Sequence, residues 1–545
     1  MGMGWGVKPK LQHRRGRVSW MALTGAGSVV LVAVLSIVLW RLGQPNRSGE
    51  SGPTASATSG KPSGALFVYC AAGMQYPMED IVQRYQREFG VSIELQYGGS
   101  NTLLNQLEVS KQGDLYLAAD ESYIRMARSK KLLAESIPLA KMRPVIAVPA
   151  GNPHQIRSID DLIEKKLRLG MGEPTAAAVG KKVRKLLQAA GKWGAIEQLA
   201  RERGVFKPTV NEVANAVKIG SIDAGLIWDS TVAQYPELEQ VAVPELDAGE
   251  SEVAIGVLDS SRRPAAALHF ARYVAAHDRG LEAFRAKGFR VVEGDVWDDH
   301  PKIVFFAGSV NQRALRPIIR EFEQREGVSV ETVYNGCGIL TAQMQALKQN
   351  GGTGFPDAYM ACDVYYLDTV RDLFQEDAIV SETDIVIVVQ KGNPKQIASL
   401  SDLVRPGVRV AIGQPEQCTI GVLSRRLLEH AGIYQQCVEN NVVTQTATSA
   451  LLVPTVATGS ADAALAYRTD TLSERGRIGV VPIDSQSAKA VQPFAIARMS
   501  PHKQLVRRLF SHIARSREVF EQAGFAWRLR AQERSSAGTR GSGPS

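Results

Sequence analysis

Apolar positions along this chain switch between two spacings, and the order of the switches occurs twice. From residue 66 the run LFVYCAA has the length and β-rich content of a buried strand. Ile81, Tyr85 and Phe89 then fall at i, i+4 and i+8, which predicts an amphipathic helix. Residues 91–97 (VSIELQY) alternate as a strand and end in Gly98, Gly99 and Ser100. Far downstream the same series returns. IVFFA at 303–307 is the strand, Ile318, Phe322 and Glu326 hold the helical spacing, and 328–334 (VSVETVY) leads into Asn335, Gly336, Cys337 and Gly338.

The matches continue in one order. DLYLAAD at 114–120 pairs with DAYMACD at 357–363, and PVIAVP at 144–149 pairs with DIVIVVQ at 384–390. Each of the latter strands ends in a Gly-Asn-Pro turn, followed by SIDDL at 158–162 or SLSDL at 399–403. A Gly-x-Pro loop then opens an amphipathic run near Gly180 or Gly421, and GSIDAGLIWD at 220–229 answers GSADAALAY at 459–467. A period of roughly 240 residues is far too long for a solenoid and suits a duplicated two-lobe domain. Strand, helix, strand with Gly-bearing turns predicts parallel α/β lobes, whose ligands gather at the carboxyl ends of the strands. A strand leaving one lobe to begin another predicts a hinge in each copy. Residues 288–301 are rich in turn-forming and acidic residues, which places the boundary there, with copies at 65–292 and 300–528 that fold independently.

Composition is that of an ordinary globular protein, and charge changes the picture only at the ends. The net charge is +9, yet residues 1–41 carry Lys8, Lys10, Arg14, Arg15, Arg17 and Arg41 with no acid, and the tail carries Arg528, Arg530, Arg534 and Arg540 against Glu533. Everything between is balanced, so no nucleic-acid face is indicated. Residues 20–40 contain no charge and would reach about 31 Å as a helix, enough to span a bilayer, with Trp20 and Trp40 at the interfaces. The preceding basic residues (1–19) put the amino end in the cytoplasm and the bulk outside, in the periplasm or beyond. A cleaved signal peptide is the rival reading; the apolar run is longer than its core, and the nearest small-x-small site, Ala55-Ser56-Ala57, lies well beyond it. Residues 41–64, rich in Gly, Ser, Thr and Pro, read as a flexible tether, and 529–545 as a disordered tail.

The shared order of these motifs resembles the molybdate/tungstate-binding component of ABC transporters, within the type II periplasmic binding proteins. The resemblance covers 65–290 and 302–527. It implies two tandem modules, each of two α/β lobes joined by a hinge, after one amino-terminal transmembrane helix. It further implies an oxyanion held in each cleft by hydroxyls and backbone N–H groups, and an ABC permease as partner. Carried over position by position, the second copy offers Ser309, Cys337, Ile420, Ser449 and Tyr467. The first offers Gly73, Ser100, Val179, Val210 and Trp228. Both depart from the family pattern: Gly73 has no hydroxyl, Trp228 can donate but not accept, and Cys337 is a weak donor.

The five cysteines, Cys70, Cys337, Cys362, Cys418 and Cys437, form no CxxC pair. Cys70 and Cys362 fall in apolar strands as small hydrophobes, whereas Cys337 and Cys418 fall on cleft loops and could form a disulfide or offer soft ligands to a thiophilic metal. No nucleophile elbow, P-loop or paired-His motif stands in a supporting context, so catalysis has no support. The sequence thus points to an anchored extracytoplasmic solute-binding protein for molybdate, tungstate or a similar oxyanion, sulfate and phosphate remaining open. A sensory or scaffold protein with diverged binding domains is the alternative.

Overall fold

A computed structural model describes residues 64–529. The segment 20–40, nearly all of the 41–64 tether and the tail from 530 lie outside the described residues. Among the described residues no helix is long and apolar enough to cross a membrane.

The amino-terminal module has two sheets. In lobe A six strands run in the order Arg290–Val291, Leu133–Met142, Ser251–Leu258, Leu115–Ala118, Leu66–Ala71, Ile93–Gly98. In lobe B five run in the order Val205–Lys207, Leu169–Gly172, Ala224–Trp228, Pro144–Pro149, Leu238–Val241. The sheets are mixed rather than purely parallel. Leu66–Ala71 pairs in parallel with both neighbours, but Ser251–Leu258, which returns from lobe B, enters antiparallel.

The carboxy-terminal module repeats this with one change. Its hinge strand, Phe374–Gln390, is unbroken and belongs to both lobes. It pairs with Lys489–Ala497 in lobe A and then with Ala463–Tyr467 in lobe B, fusing the two sheets into one ten-stranded sheet. In the first module the equivalent stretch is interrupted at Arg143, between Leu133–Met142 and Pro144–Pro149.

Local chemistry explains why the repeated motifs recur. The helices Gln75–Phe89 and Gln312–Glu326 both stop at a glycine in the left-handed region, Gly90 at φ 67° and Gly327 at φ 66°. In each Gly-Asn-Pro turn the Asn side chain clasps the backbone four residues on: Asn152 holds Ile156 and Asn393 holds Ile397, at 2.8–3.0 Å. Ser158 with Asp161, and Ser399 with Asp402, are capping boxes. The aspartate of GSIDA and GSADA accepts the backbone N–H of Arg168 (2.8 Å) or Arg409 (2.9 Å), tying one lobe B strand to its neighbour. These motifs are scaffold, and they position the loops that carry the cleft.

The two lobes A pack against each other through buried charge. Glu326 is the hub: Arg508 donates to its carboxylate at 2.7 and 3.2 Å, and Arg272 of the first module donates to its carbonyl at 2.7 Å. All three residues are less than a tenth exposed. Arg325 grips Glu135 at 2.5 and 2.9 Å, and Asp295 of the connection accepts the N–H groups of Gln504 (2.7 Å) and Leu505 (2.9 Å). The connection between the copies is bonded into the second module, and the copies share a desolvated interface.

Candidate functional site

In the second module the cleft is built from loop ends, as expected for strands whose carboxyl ends face a hinge. Lobe A supplies Ser309 after the strand Lys302–Gly308, Cys337 at the start of the helix Cys337–Gln349, and Cys362 after Ala358–Met360. Lobe B supplies Thr419 and Ile420 at the start of the helix Thr419–His430, Ser449 after Val442–Thr446, and Tyr467, Thr469 and Asp470 at and beyond the end of Ala463–Tyr467. The first-turn N–H groups of that lobe B helix have no partners within it. The lobes are closed. Gly338 and Ile339 donate to the Gln417 carbonyl at 3.0 and 3.3 Å, and the Tyr366 hydroxyl donates to the Pro415 carbonyl at 3.0 Å. A Cβ on Gly336 would stand 2.4 Å from the Gln417 oxygen and 2.6 Å from that of Ala447, so this approach requires glycine.

Within this closed cleft lie buried hydroxyls short of partners. The Tyr467 and Thr469 oxygens have no hydrogen-bond partner, and those of Thr419 and Ser449 face only the Cys337 thiol and the Asp470 carboxyl. Tyr359 and Thr419 bring their hydroxyls to the Cys337 thiol, and neither has an oxygen or nitrogen partner. Leaving a buried hydroxyl unpaired costs about 1–3 kcal/mol, so a group of them marks a place where a ligand supplies the acceptors. Burial also acts on Asp470, pushing its carboxyl up to about 6 while the adjacent Ser449 hydroxyl holds it back. Burial drives the Tyr467 phenol far above its ordinary value, which keeps it a neutral donor.

The first module's cleft differs in kind. Strand pairing puts Leu66 opposite Ile93 and Ile303 opposite Val330, so the residue equivalent to Ser309 is Ala72, and Gly73 corresponds to Val310. Reading Gly73 against Ser309 is therefore corrected by one position. Gly73 does face the cleft, where a Cβ would lie 3.2 Å from Val210, 3.6 Å from Thr231 and 4.0 Å from Trp228. Val179, Val210 and Trp228 are buried, and Val210 and Trp228 stand against Gly73. The Ser100 hydroxyl is engaged by the Ala119 N–H at 3.2 Å. The lobes are also latched: Lys182 of lobe B pairs with buried Asp120 of lobe A at 2.8 Å, and Asn211 donates to the Ala72 carbonyl at 2.9 Å. The second module has Leu423 and Ala450 at those two positions and lacks this latch.

The cysteines are arranged otherwise than expected. Cys337 does not pair with Cys418, whose sulfur turns to the carbonyls of Gln414 and Thr446 at 3.5 Å on lobe B. Its neighbour is Cys362, sulfur to sulfur 2.9 Å. Cys362 is no strand residue, because the strand ends at Met360. Thr419, Thr469, Asp470 and Cys362 were not among the site residues expected from sequence. The signal for the first three was their place beside Ile420 and Tyr467.

A family model described as bacterial extracellular solute-binding protein matches residues 66–290 and again 303–526. A molybdate-binding protein of Mycobacterium tuberculosis is 31% identical over 232 residues, 41% of this chain and 84% of that protein. A molybdate-binding protein of Escherichia coli is 26% identical over 186 residues, 32% of this chain and 72% of that one. Among solved structures, a periplasmic molybdate-binding protein of Azotobacter vinelandii is similar with a TM-score of 0.35 and 14% identity, covering 41% of this chain and 98% of that one.

Proposed function

Because the chain belongs to the bacterial extracellular solute-binding protein family, twice over, we propose that it captures a tetrahedral oxyanion of the molybdate or tungstate class in its second module. The observation that carries this reading is the set of buried hydroxyls, Tyr467 and Thr469 without partners and Thr419 and Ser449 facing only a thiol and a carboxyl. Neutral donors hold a dianion in a desolvated cleft without titrating near neutrality. The first module, its cleft lined by Trp228 and Val210 and latched by Lys182, acts as scaffold. The 20–40 segment anchors the chain with both modules outside the cytoplasm, and hinge opening in the second module hands the ion to an ABC permease.

Calorimetric titration of the full chain with molybdate, tungstate, sulfate and phosphate tests this. One site per chain is expected, for molybdate or tungstate above the others. Two sites, or none for any oxyanion, would remove the reading. Protease added to intact spheroplasts should digest both modules; protection of residues 64–529 would overturn the topology.

Asp470 gives the binding a pH dependence. Below about 6 its carboxyl is protonated and can donate to the ion; above, it is charged and repels a dianion. Affinity is therefore expected to fall as pH rises from 5.5 to 8, and Asp470→Asn should flatten the profile. The same raised value means its contribution to stability is full below the unfolded value near 3.9 and is lost as pH rises through about 6. The difference between ligand-free thermal melts of the parent and Asp470→Asn chains across the same pH range reads that second effect.

A further inference from the structure

The floor of the second cleft carries a feature that oxyanion binding does not require. Cys337 and Cys362 place their sulfurs 2.9 Å apart, and the Cys362 N–H points at the Cys337 sulfur at 3.1 Å. In the first module the same two positions are Ser100 and Ala119, joined by the same backbone contact to the Ser100 oxygen at 3.2 Å. The contact is thus common to both copies, while the facing pair of sulfurs belongs to one. A third position differs with them. Gly308 lies beneath the pair, and a Cβ there would stand 2.2 Å from the Cys362 sulfur and 2.8 Å from that of Cys337. The strand-equivalent residue in the first module is Ala71, whose neighbours carry no sulfur at these positions. Glycine here makes the room that two large sulfur atoms need.

Two ligand chemistries compete for adjacent thiols. A metal ion needs further donors, and among the described residues no group of three or more Cys, His, Asp or Glu side chains is arranged to hold one. A disulfide needs only the two sulfurs, which here stand 2.9 Å apart. Both residues are buried in the closed form, at 0% and 3% exposure, so reaction requires the cleft to open.

We propose that Cys337 and Cys362 form a reversible disulfide in the floor of the second cleft, in exchange with disulfides of the compartment outside the cytoplasm. In the first exchange one cysteine, as thiolate, attacks an incoming disulfide R–S–S–R, forming a mixed disulfide and releasing one RSH with the attacking thiol's proton. In the second, the other cysteine displaces the remaining RS group as RSH. Two protons and two electrons thus pass to the oxidant, and one S–S bond replaces two S–H bonds. Both cysteines lie on lobe A, so the bridge leaves the hinge free. Its effect on the ion rests on the function proposed above: the bridge removes two S–H donors from the wall and is expected to weaken oxyanion binding roughly tenfold.

The test uses the full chain equilibrated across a series of reduced and oxidised dithiothreitol ratios. Samples are quenched in acid, alkylated under denaturing conditions with chelator present, digested and weighed by mass spectrometry. The expected result is one cross-linked peptide pair joining Cys337 to Cys362, with Cys70, Cys418 and Cys437 alkylated, and slower bridging when molybdate holds the cleft closed. Alkylation of both Cys337 and Cys362 at every ratio overturns the proposal, as does a bridge from Cys337 to Cys418; a metal-held pair would give the first of these results. Calorimetry on the reduced sample reads the oxyanion site by itself. Absence of binding there removes the proposed function and leaves the bridge standing.

Discussion

Thr419→Val combined with Ser449→Ala should weaken oxyanion binding by the full chain at least about a hundredfold. Each hydroxyl is expected to donate a charge-assisted hydrogen bond contributing about 1.5–3 kcal/mol, and two such losses multiply. Tyr467→Phe or Ser309→Ala alone should cost roughly tenfold to a hundredfold by the same reasoning. The opposite sign is expected for stability. In the closed form without ligand the Tyr467 oxygen is buried and unpaired, so its removal in Tyr467→Phe relieves a desolvation cost and the ligand-free melting temperature should rise. Calorimetry and thermal melts on one sample separate the two. In the first module, Ser100→Ala and Val210→Ser should change neither ion affinity nor stoichiometry. A loss of binding from the first-module variants, or none from the second, would refute the assignment of the site.

Glu326→Gln should be the most destabilising single change in the chain. It leaves Arg272 and Arg508 buried side by side with no carboxylate between them, a situation that typically costs about 3–5 kcal/mol. Urea denaturation should show the midpoint falling, and the transition should split in two as the modules uncouple. Replacing Glu326, Arg272 and Arg508 together by apolar residues of similar volume should restore much of the loss, since the penalty lies in the unpaired charges. The same reasoning sets the expectation for separately expressed copies. The first exposes Arg272 and Glu135 without partners, the second exposes Arg325 while Glu326 keeps Arg508, and each should be less stable alone than in the chain. A Glu326→Gln chain that melts like the parent would show that the interface contributes little.

What the sequence made legible was the local chemistry. Asn152 and Asn393, Ser158 and Ser399, and Asp223 and Asp462 each act within a turn or on one neighbouring strand, so their spacing survives as a readable repeat. The site was legible where a residue ends a strand that the pattern marks, as at Tyr467. It was not legible where register depends on a distant partner. Setting Gly73 against Ser309 was out by one, because the register of that short strand is fixed by pairing with Ile93–Gly98. Glu326 carried a signal that went unused: it held the apolar phase of a helix that otherwise faces the core, and the structure puts it there, buried among arginines of both modules. Cys362 was hidden by a strand two residues shorter than its apolar run.

The unbroken hinge strand has a consequence for how the two halves can vary in length. From Ser381 to Val389 every residue is in register first with Lys489–Ala497 and then with Ala463–Tyr467, with no bulge between. A single residue inserted or deleted there would turn every following side chain to the opposite face of the sheet, exchanging core for surface throughout one lobe. In the first module the break at Arg143 lets a slip be taken up before lobe B begins. Insertions and deletions in chains descended from this one should therefore be tolerated near residue 143 and rejected across 381–389, so that the half proposed to bind the ion is also the half with the more rigid ruler.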